Sequence, residues 1–321
     1  MATGFIVLGS LAAAWISIQA VKLAFFIWAY VRPSSILRYR HNHSNSSAPP
    51  WAIITGASDG IGKAYAYELA DRGFNIVLHG RNSTKLHNVR HELQTEYPHL
   101  SFRIIIADAT DSGPDALERI HEIAEGLKDL HITILINNVG AGAKPSSHPA
   151  VEEFHQTLAP DIDAVISLNA RFPIQFTRAI LPHLLSHGGP ALILSMGSMA
   201  DAGMPYLEIY SACKAFLLCF SRALRREMIA EGNANVEVLG IMTGEVTDVS
   251  FDRQKPTLGR PGSRQFAHAA IERVGCGWEV VAPWWPQGLS WAVMDWLPAW
   301  AVDRALVSAM KRTRKELAKT A

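Results

Sequence analysis

Residues 55–62 read Thr55-Gly56-Ala57-Ser58-Asp59-Gly60-Ile61-Gly62. A short run with β-branched residues, Trp51 to Thr55, leads into this stretch, and a helix-forming run, Ile61 to Arg72, leads out of it. Glycine is needed where the backbone must turn sharply and let a pyrophosphate come within contact distance. The first turn of the following helix then offers free N–H groups and a positive dipole end to that phosphate. Taken alone the glycine spacing marks a tight turn. Between a strand and a helix it predicts a dinucleotide site, with Gly56, Ser58, Asp59, Gly60, Ile61 and Gly62 as candidate contacts.

Outward from this turn the pattern repeats. Strands are expected at Asn75–His79, Phe102–Ala107, Ile132–Ile136, Ala191–Ser195, Val236–Ile241 and Trp278–Ala282, with helical stretches between them. That alternation implies an α/β fold, a Rossmann-type doubly wound parallel sheet. Cofactor choice is read just after the second strand, where an NAD site usually carries an acid. Here the chain has His79-Gly80-Arg81-Asn82, so Arg81 is a candidate partner for a 2′-phosphate and NADP(H) is the expected cofactor; the alternative is an arginine on a solvated loop. Asp108, at the end of the third strand, is either an adenine contact or a helix cap.

Of the 321 residues, 49% are hydrophobic and only 18% charged, below the usual quarter. The excess is concentrated. Phe5 to Val31 reads FIVLGSLAAAWISIQAVKLAFFIWAYV, with Lys22 as its one charge. At 1.5 Å per residue such a run reaches roughly 40 Å, against about 30 Å of hydrocarbon, so a transmembrane anchor over 1–31 is expected; a signal peptide is the rival, but no basic region precedes it. Lys22 can snorkel toward the end near Arg32. Arg32, Arg38 and Arg40 follow the run, which by the positive-inside rule leaves the rest of the chain in the cytosol. Residues 32–50 read as a linker, flexible over HNHSNSSAPP, where His41 and His43 suggest solvated polar chain rather than a metal site. Lys+Arg 30 against Asp+Glu 29 gives a net charge of +1, which offers no field for nucleic acid. Three cysteines without CxxC spacing exclude a disulfide scaffold and a cysteine-built zinc site, and no other metal is implied.

The second chemical motif is Tyr210-Ser211-Ala212-Cys213-Lys214. On a helix, positions i and i+4 share a face, so phenol and ammonium are neighbours. A phenol with a pKa of about 10 is a poor acid or base at neutral pH. An adjacent ammonium and a positive nicotinamide ring both favour phenolate and would lower that value.

In combination, TGASDGIG, INNVG at Ile136–Gly140, Asn169, a serine near a strand end and YSACK resemble the short-chain dehydrogenase/reductase family over about residues 51–310. Asp59 in the glycine turn, Val139, Lys255-Pro256-Thr257-Leu258 and the N-terminal anchor make the chain similar to its microsomal branch, which holds 17-beta-hydroxysteroid dehydrogenases and very-long-chain 3-oxoacyl-CoA reductases. The resemblance implies that Tyr210 moves the proton, that Lys214 holds the nicotinamide ribose and lowers the Tyr210 pKa, and that Asn169 binds a water linking Lys214 to solvent. Asn138 would pin its strand beside the cofactor, and Arg81 matches the arginine of NADPH-using members. It further implies a domain over 51–321, an endoplasmic-reticulum membrane, and a homodimer formed through helices Asn169–Leu185 and Glu208–Ala230.

Two departures stand out. The family's substrate-orienting serine position is Gly197 here; Ser198 is the first candidate and Ser195 the second. Where relatives carry Pro-x-x-x-x-Thr after the sixth strand, this chain has Thr243 and Asp248, with Thr247 one earlier. Thr247 is then a candidate phosphate contact, and Asp248 would repel an anionic cofactor. Within 244–310, the substrate and membrane-proximal region, six tryptophans lie between Trp278 and Trp300, broken by Pro283, Pro286 and Pro298. They form either an interfacial segment for a lipidic substrate or core packing. The basic Lys311–Lys315 suits an anionic membrane face. The expectation is a membrane-anchored NADP(H)-dependent oxidoreductase interconverting ketone and secondary alcohol on a hydrophobic molecule. A 3-oxoacyl-CoA comes first and a steroid or triterpenoid second; reduction of a carbon-carbon double bond and a non-catalytic scaffold are the lower alternatives.

Overall fold

In a computed structural model, residues 2–42, 48–142, 151–249, 252–294 and 296–320 are described. Seven strands form one parallel sheet: β1 Trp51–Thr55, β2 Asn75–Gly80, β3 Phe102–Ile106, β4 Ile132–Asn137, β5 Ala191–Met196, β6 Val236–Ile241 and β7 Val280–Val281. Their order is β3-β2-β1-β4-β5-β6-β7. The order therefore reverses between β1 and β4, and such a switch point opens a crevice at the carboxyl ends of the strands.

Strand periodicity divides the core into two layers. Ala52, Ile54, Ile76, Leu78, Ile134, Ile136, Leu192, Leu194, Leu239 and Ile241 pack on one face with Tyr65, Leu69, Phe266 and Ile271. The intervening Ile53, Val77, Leu135, Ile193 and Val238 pack on the other with Ile120, Phe176, Ile180, Leu224 and Met228. Successive strand side chains point to opposite faces, so a sheet covered on both sides needs apolar residues at every position. One layer is contributed by α2 Gly60–Asp71 and α8 Ser263–Glu272, the other by α4 Ala116–Glu125, α6 Phe172–Ser186 and α7 Glu208–Ala230.

Three boundaries differ from the sequence reading. The helix expected from Asn169 begins at Phe172, because Ser167–Arg171 forms a π-helical turn after α5 Ala159–Ile166. The last strand holds only Val280–Val281 of the five residues expected, and Pro283 ends the run. The stretch read as a linker is largely part of the domain: Ile36–Tyr39 form a 3-10 turn with Ile36 and Tyr39 buried. Tyr39 donates to Glu237 Oε2 at 2.6 Å, and Ser35 N donates to Val274 O at 3.0 Å. Polar composition misled the reading because two apolar side chains suffice to seat a short turn. His41 is likewise seated, with Nε2 2.9 Å from Pro190 O and its ring 5.0 Å from His131 and 5.1 Å from His187. His43 lies outside the described residues.

The N-terminal apolar run is one helix, α1 Ala2–Val31. Residues 7–31 are long and apolar enough to cross a membrane and are largely exposed. Its last turn is docked, with Ala29 fully buried, Arg273 Nη1 donating to Ala29 O at 2.7 Å, and Tyr30 Oη donating to Ala282 O at 2.5 Å. After β7 come α9 Trp285–Met294 and α10 Ala299–Thr320, and between β2 and β3 lies α3 Ser83–Glu96.

Candidate active site

The glycine turn is built as the sequence requires. Gly56 and Gly60 have φ of +69° and +54°, a region that L side chains rarely adopt. A Cβ on Gly62 would sit 2.1 Å from Gly56 O and 2.6 Å from Asn138 Nδ2. Asp59 caps α2, its Oδ1 accepting from Gly60 N at 2.8 Å. Asn138 lies where expected: its Nδ2 donates to Thr55 O at 2.9 Å, and its backbone N to Thr55 Oγ1 at 3.0 Å, tying the end of β4 to β1. The turn thus leaves a cradle bare of side chains at the head of a helix, which fits a pyrophosphate.

Beside it a cleft of about 850 Å³ is lined by Arg81, Asn82, Asp108, Ile120, Ile123 and Phe172 among others. Its walls are apolar and its rim carries charges of both signs, Arg81 and Arg119 against Asp108, Asp111 and Glu122, with Arg119 paired to Asp111. Arg81 is exposed there. Asp108 is exposed too, and its Oδ1 accepts from Thr110 N at 2.9 Å and Thr110 Oγ1 at 2.8 Å, so it caps a turn. Ser58 also faces this end: a Cβ on Gly80 would lie 3.6 Å from Ser58 Oγ. His79 is fully buried against Phe172, ring centroids 5.0 Å apart, and burial drives its pKa down to about 4.

Tyr210 and Lys214 lie on the first turns of α7. Lys214 is buried, its Nζ donates to Met196 O at 2.7 Å, and burial lowers its pKa to about 8. The ammonium lies 5.5 Å from the centre of the Tyr210 ring. Contrary to the sequence expectation, burial pushes the Tyr210 phenol up, and a hydrogen bond with Ser198 offsets only part of that. Ser198 therefore stands beside Tyr210. Ser195 is buried in β5, and its hydroxyl has no hydrogen-bond partner.

Asn169 sits in the π-helical turn, fully buried. Its Nδ2 donates to Ala141 O and Val165 O, both at 3.0 Å, and its Oδ1 accepts from Ala141 N at 3.2 Å. A Cβ on Gly140 would lie 2.8 Å from Asn169 Oδ1 and 2.9 Å from Lys214 Nζ, so both groups close on the same point.

The loop after β6 corrects two expectations. Thr247 is fully buried, and its hydroxyl donates to Pro261 O at 3.4 Å, which turns it to the loop rather than to a phosphate. Asp248, at φ +59°, accepts from Arg253 Nη1 at 3.2 Å and Ser263 Oγ at 3.2 Å, so its charge is compensated. Arg253 also reaches Asp59 at 3.3 Å, and Lys85 Nζ reaches the same carboxylate at 2.9 Å. Burial raises the Asp59 pKa, but Lys85, the Gly60 amide and Arg253 outweigh it and hold the carboxyl below its usual value. Val249 covers Gly60, whose Cβ position lies 3.1 Å from Val249 Cγ1. The loop is thereby strapped across the glycine turn. Buried Gln287 of α9 fixes its start, accepting from Gly244 N at 3.2 Å and donating to Glu245 O at 2.7 Å and Gly259 O at 3.1 Å. Lys85, Arg253 and Gln287 were invisible in the sequence, because nothing local marks a side chain that acts across the fold. Among the described residues no metal-binding cluster occurs, and the three cysteines are free.

A parallel sheet with a glycine cradle, and a Tyr-Lys pair beside a strand-end serine, define a nucleotide-dependent oxidoreductase. The short chain dehydrogenase family model matches residues 50–257. The very-long-chain 3-oxoacyl-CoA reductase of Schizosaccharomyces pombe is 35% identical over 254 residues, covering 77% of this chain and 71% of that protein. A very-long-chain 3-oxoacyl-CoA reductase-like protein of Arabidopsis thaliana is 33% identical over 269 residues, covering 82% of each. Among solved structures, a short-chain dehydrogenase from Sphingobium yanoikuyae in complex with NADPH superposes with a TM-score of 0.62 at 26% identity, covering 81% of this chain and 95% of that one. The chain belongs to the short-chain dehydrogenase family and is an oxidoreductase of it.

Proposed function

We propose that the chain is an NADP(H)-dependent ketoreductase that interconverts the 3-oxo and 3-hydroxy forms of a fatty acyl-CoA at a membrane. The observation that carries this reading is the convergence of Tyr210, Lys214, Ser198 and Asn169 beside the glycine cradle, in a chain whose relatives bear that enzyme's name. Nicotinamide dinucleotide, when bound, supplies the hydride. Gly56, Ser58, Asp59, Gly60, Ile61 and Gly62 form its pyrophosphate cradle, and Arg81 holds the 2′-phosphate, with Lys85 close by on α3. Asp108 borders the adenine end.

Ser198 Oγ orients the substrate carbonyl, and Tyr210 Oη gives its proton to the oxygen as the alcohol forms. A phenol is protonated at neutral pH, which is the state that donation to the carbonyl oxygen needs. Lys214 positions the ribose and, through Asn169 and an intervening water, re-protonates Tyr210. Residues 1–31 anchor the chain as a single pass in the endoplasmic reticulum, with the catalytic domain in the cytosol. The exposed Phe216 on α7 marks a homodimer face.

The test is turnover of 3-oxoacyl-CoAs of graded length, ketosteroids and sterol alcohols with NADPH or NADH, wild type against Tyr210→Phe, with product analysis. Activity on long 3-oxoacyl-CoAs with NADPH that Tyr210→Phe abolishes is expected. Full activity in the variant sinks the proton-transfer role, ketosteroid-only activity sinks the acyl-CoA assignment, and an enone ketosteroid whose ring double bond is reduced while its ketone stays intact moves the chemistry to a double bond.

A further inference from the structure

The apolar residues of α9 form a ridge that no part of the described domain covers. Trp285, Leu289 and Val293 recur every fourth position, which places them on one helical face, and all are about half exposed. Beyond them Trp296 is 64% exposed and Trp300, at the start of α10, 69%. Two tryptophans this bare on one hairpin tip call for an apolar neighbour.

The structure also fixes where that tip lies. Tyr30 at the base of α1 contacts the start of α9: its hydroxyl donates to Ala282 O, and a Cβ on Gly288 would lie 2.2 Å from Tyr30 Oη. The other end meets the middle of α1, with the rings of Trp15 and Trp296 6.4 Å apart. The segment from Ala282 to Trp296 therefore runs antiparallel to α1. From Tyr30 to Trp15 is about 22 Å along the helix axis at 1.5 Å per residue. Trp15 also lies about 10 Å beyond Lys22, the charge that marks the shallow end of the span. A ring that touches Trp15 cannot be outside a bilayer that α1 crosses.

α10 then carries the chain back to the catalytic domain. Arg314 packs over Tyr206, 5.1 Å from the ring centre, and pairs with Glu153 at 3.7 Å. Along α10 beyond the apolar tip, Arg304, Lys311, Arg312 and Lys315 share one exposed helical face. Apolar tip first and cations after is the order in which hydrocarbon and anionic headgroups are met.

We infer that residues 285–315 form a second membrane-embedded element, a hairpin that enters the same leaflet beside α1. Trp296, beside Trp15, lies below the level of Lys22, Trp285 lies nearer the surface beside the base of α1, and the basic flank lies on lipid phosphates. The inference rests on the anchor reading of α1. It makes the membrane a wall of the substrate approach, because Arg314 of α10 packs over Tyr206, two residues before the helix that carries Tyr210.

The test uses the full chain in phosphatidylcholine vesicles containing phosphatidylserine. In a Cys219→Ser background, a single cysteine is introduced as Trp296→Cys, as Leu11→Cys on α1, or as Arg178→Cys on exposed α6, and labelled with an environment-sensitive fluorophore. All three positions are exposed, so the fold is not at stake, and binding of NADPH by thermal shift checks it. Loss of emission at positions 296 and 11 with nitroxide-bearing acyl chains, and at 178 only with an aqueous quencher, is the expected result. Position 11 in lipid with 296 in water overturns the hairpin and leaves the anchor standing. Position 11 in water with 296 in lipid sinks the anchor and with it the hairpin beside α1, leaving a tip that touches lipid on its own; both in water overturns both.

Discussion

Gln287 gives the sharpest handle on how the loop over the glycine turn is held. Its side chain is 5% exposed and makes three hydrogen bonds, one accepted from Gly244 and two donated, to Glu245 and Gly259. Gln287→Leu keeps the volume and removes all three. At about 1 kcal/mol net per bond, with buried backbone groups left unpaired, the loss is roughly 3 kcal/mol. For a domain of this size that corresponds to a melting point lower by roughly 6 °C or more. The Gln287→Glu variant separates hydrogen bonding from volume, since a carboxylate accepts from Gly244 but donates to neither carbonyl. The loop runs on to Val249 and Arg253, which close over Gly60 and Asp59, so a loosened start should raise KM for NADPH more than it lowers kcat. Thermal melts with and without NADPH, together with initial rates, measure both effects. A Leu variant with wild-type melting point and KM would refute the reasoning.

Further predictions follow from neighbouring residues. Gly62→Ala places a methyl 2.1 Å from Gly56 O, so the turn must shift by about 1 Å, and NADPH-dependent stabilisation in a thermal-shift assay should disappear. Arg253→Ala frees the strap and should weaken NADPH in a fluorescence titration by several-fold, whereas a strap with no role leaves the affinity unchanged. His79 is held near pKa 4 in the native state and returns to about 6.5 on unfolding, so the unfolded chain binds the extra proton as pH falls. Its contribution to stability is complete above pH 6.5 and declines by on the order of 3 kcal/mol toward pH 4; His79→Leu should flatten urea-measured stability over that range relative to wild type. Lys214 works at the other end, with a pKa near 8 folded against 10.5 unfolded. Stability contributed through it rises with pH between those values, and Lys214→Met should remove that rise as well as the activity.

The parts of the site that rest on local spacing were legible in the chain itself. The glycine turn, Asn138 and the Tyr210–Lys214 pair each depend on residues a few positions apart on one element, and each stands where the spacing put it. Ser198 ranked ahead of Ser195 because Ser195 lies within the strand, but the hydrogen bond that puts Ser198 beside Tyr210 is visible only in three dimensions. The strap from Asp59 to Lys85 and Arg253 was illegible, since Asp59 and Arg253 are 194 residues apart and neither Lys85 nor Arg253 sits in a motif. Thr247 and Asp248 were misread for a related reason. The pattern offered Thr247 to a phosphate and set Asp248 against it, whereas Pro261 takes the Thr247 hydroxyl and Arg253 offsets the Asp248 charge. The direction of the Tyr210 shift also escaped, because a neighbouring charge is countable from sequence and the depth of burial is not.

The docking of the N-terminal segment has a consequence for how the chain is made. Ala29 waits for Arg273, Tyr30 for Ala282, and Tyr39 for Glu237; the last two contacts span 252 and 198 residues. A ribosome adding 5–20 residues each second therefore delivers these partners roughly ten seconds or more after α1 has emerged. During that interval α1 is tied to the rest only by an open stretch of chain, and the sheet assembles from β1 outward without it. Closure comes last, when β6, α8 and the segment after β7 reach the segment that was made first. A nascent chain arrested before residue 237 would lack every one of these contacts, so the fixed orientation of the sheet domain to α1 is a property of the finished molecule alone.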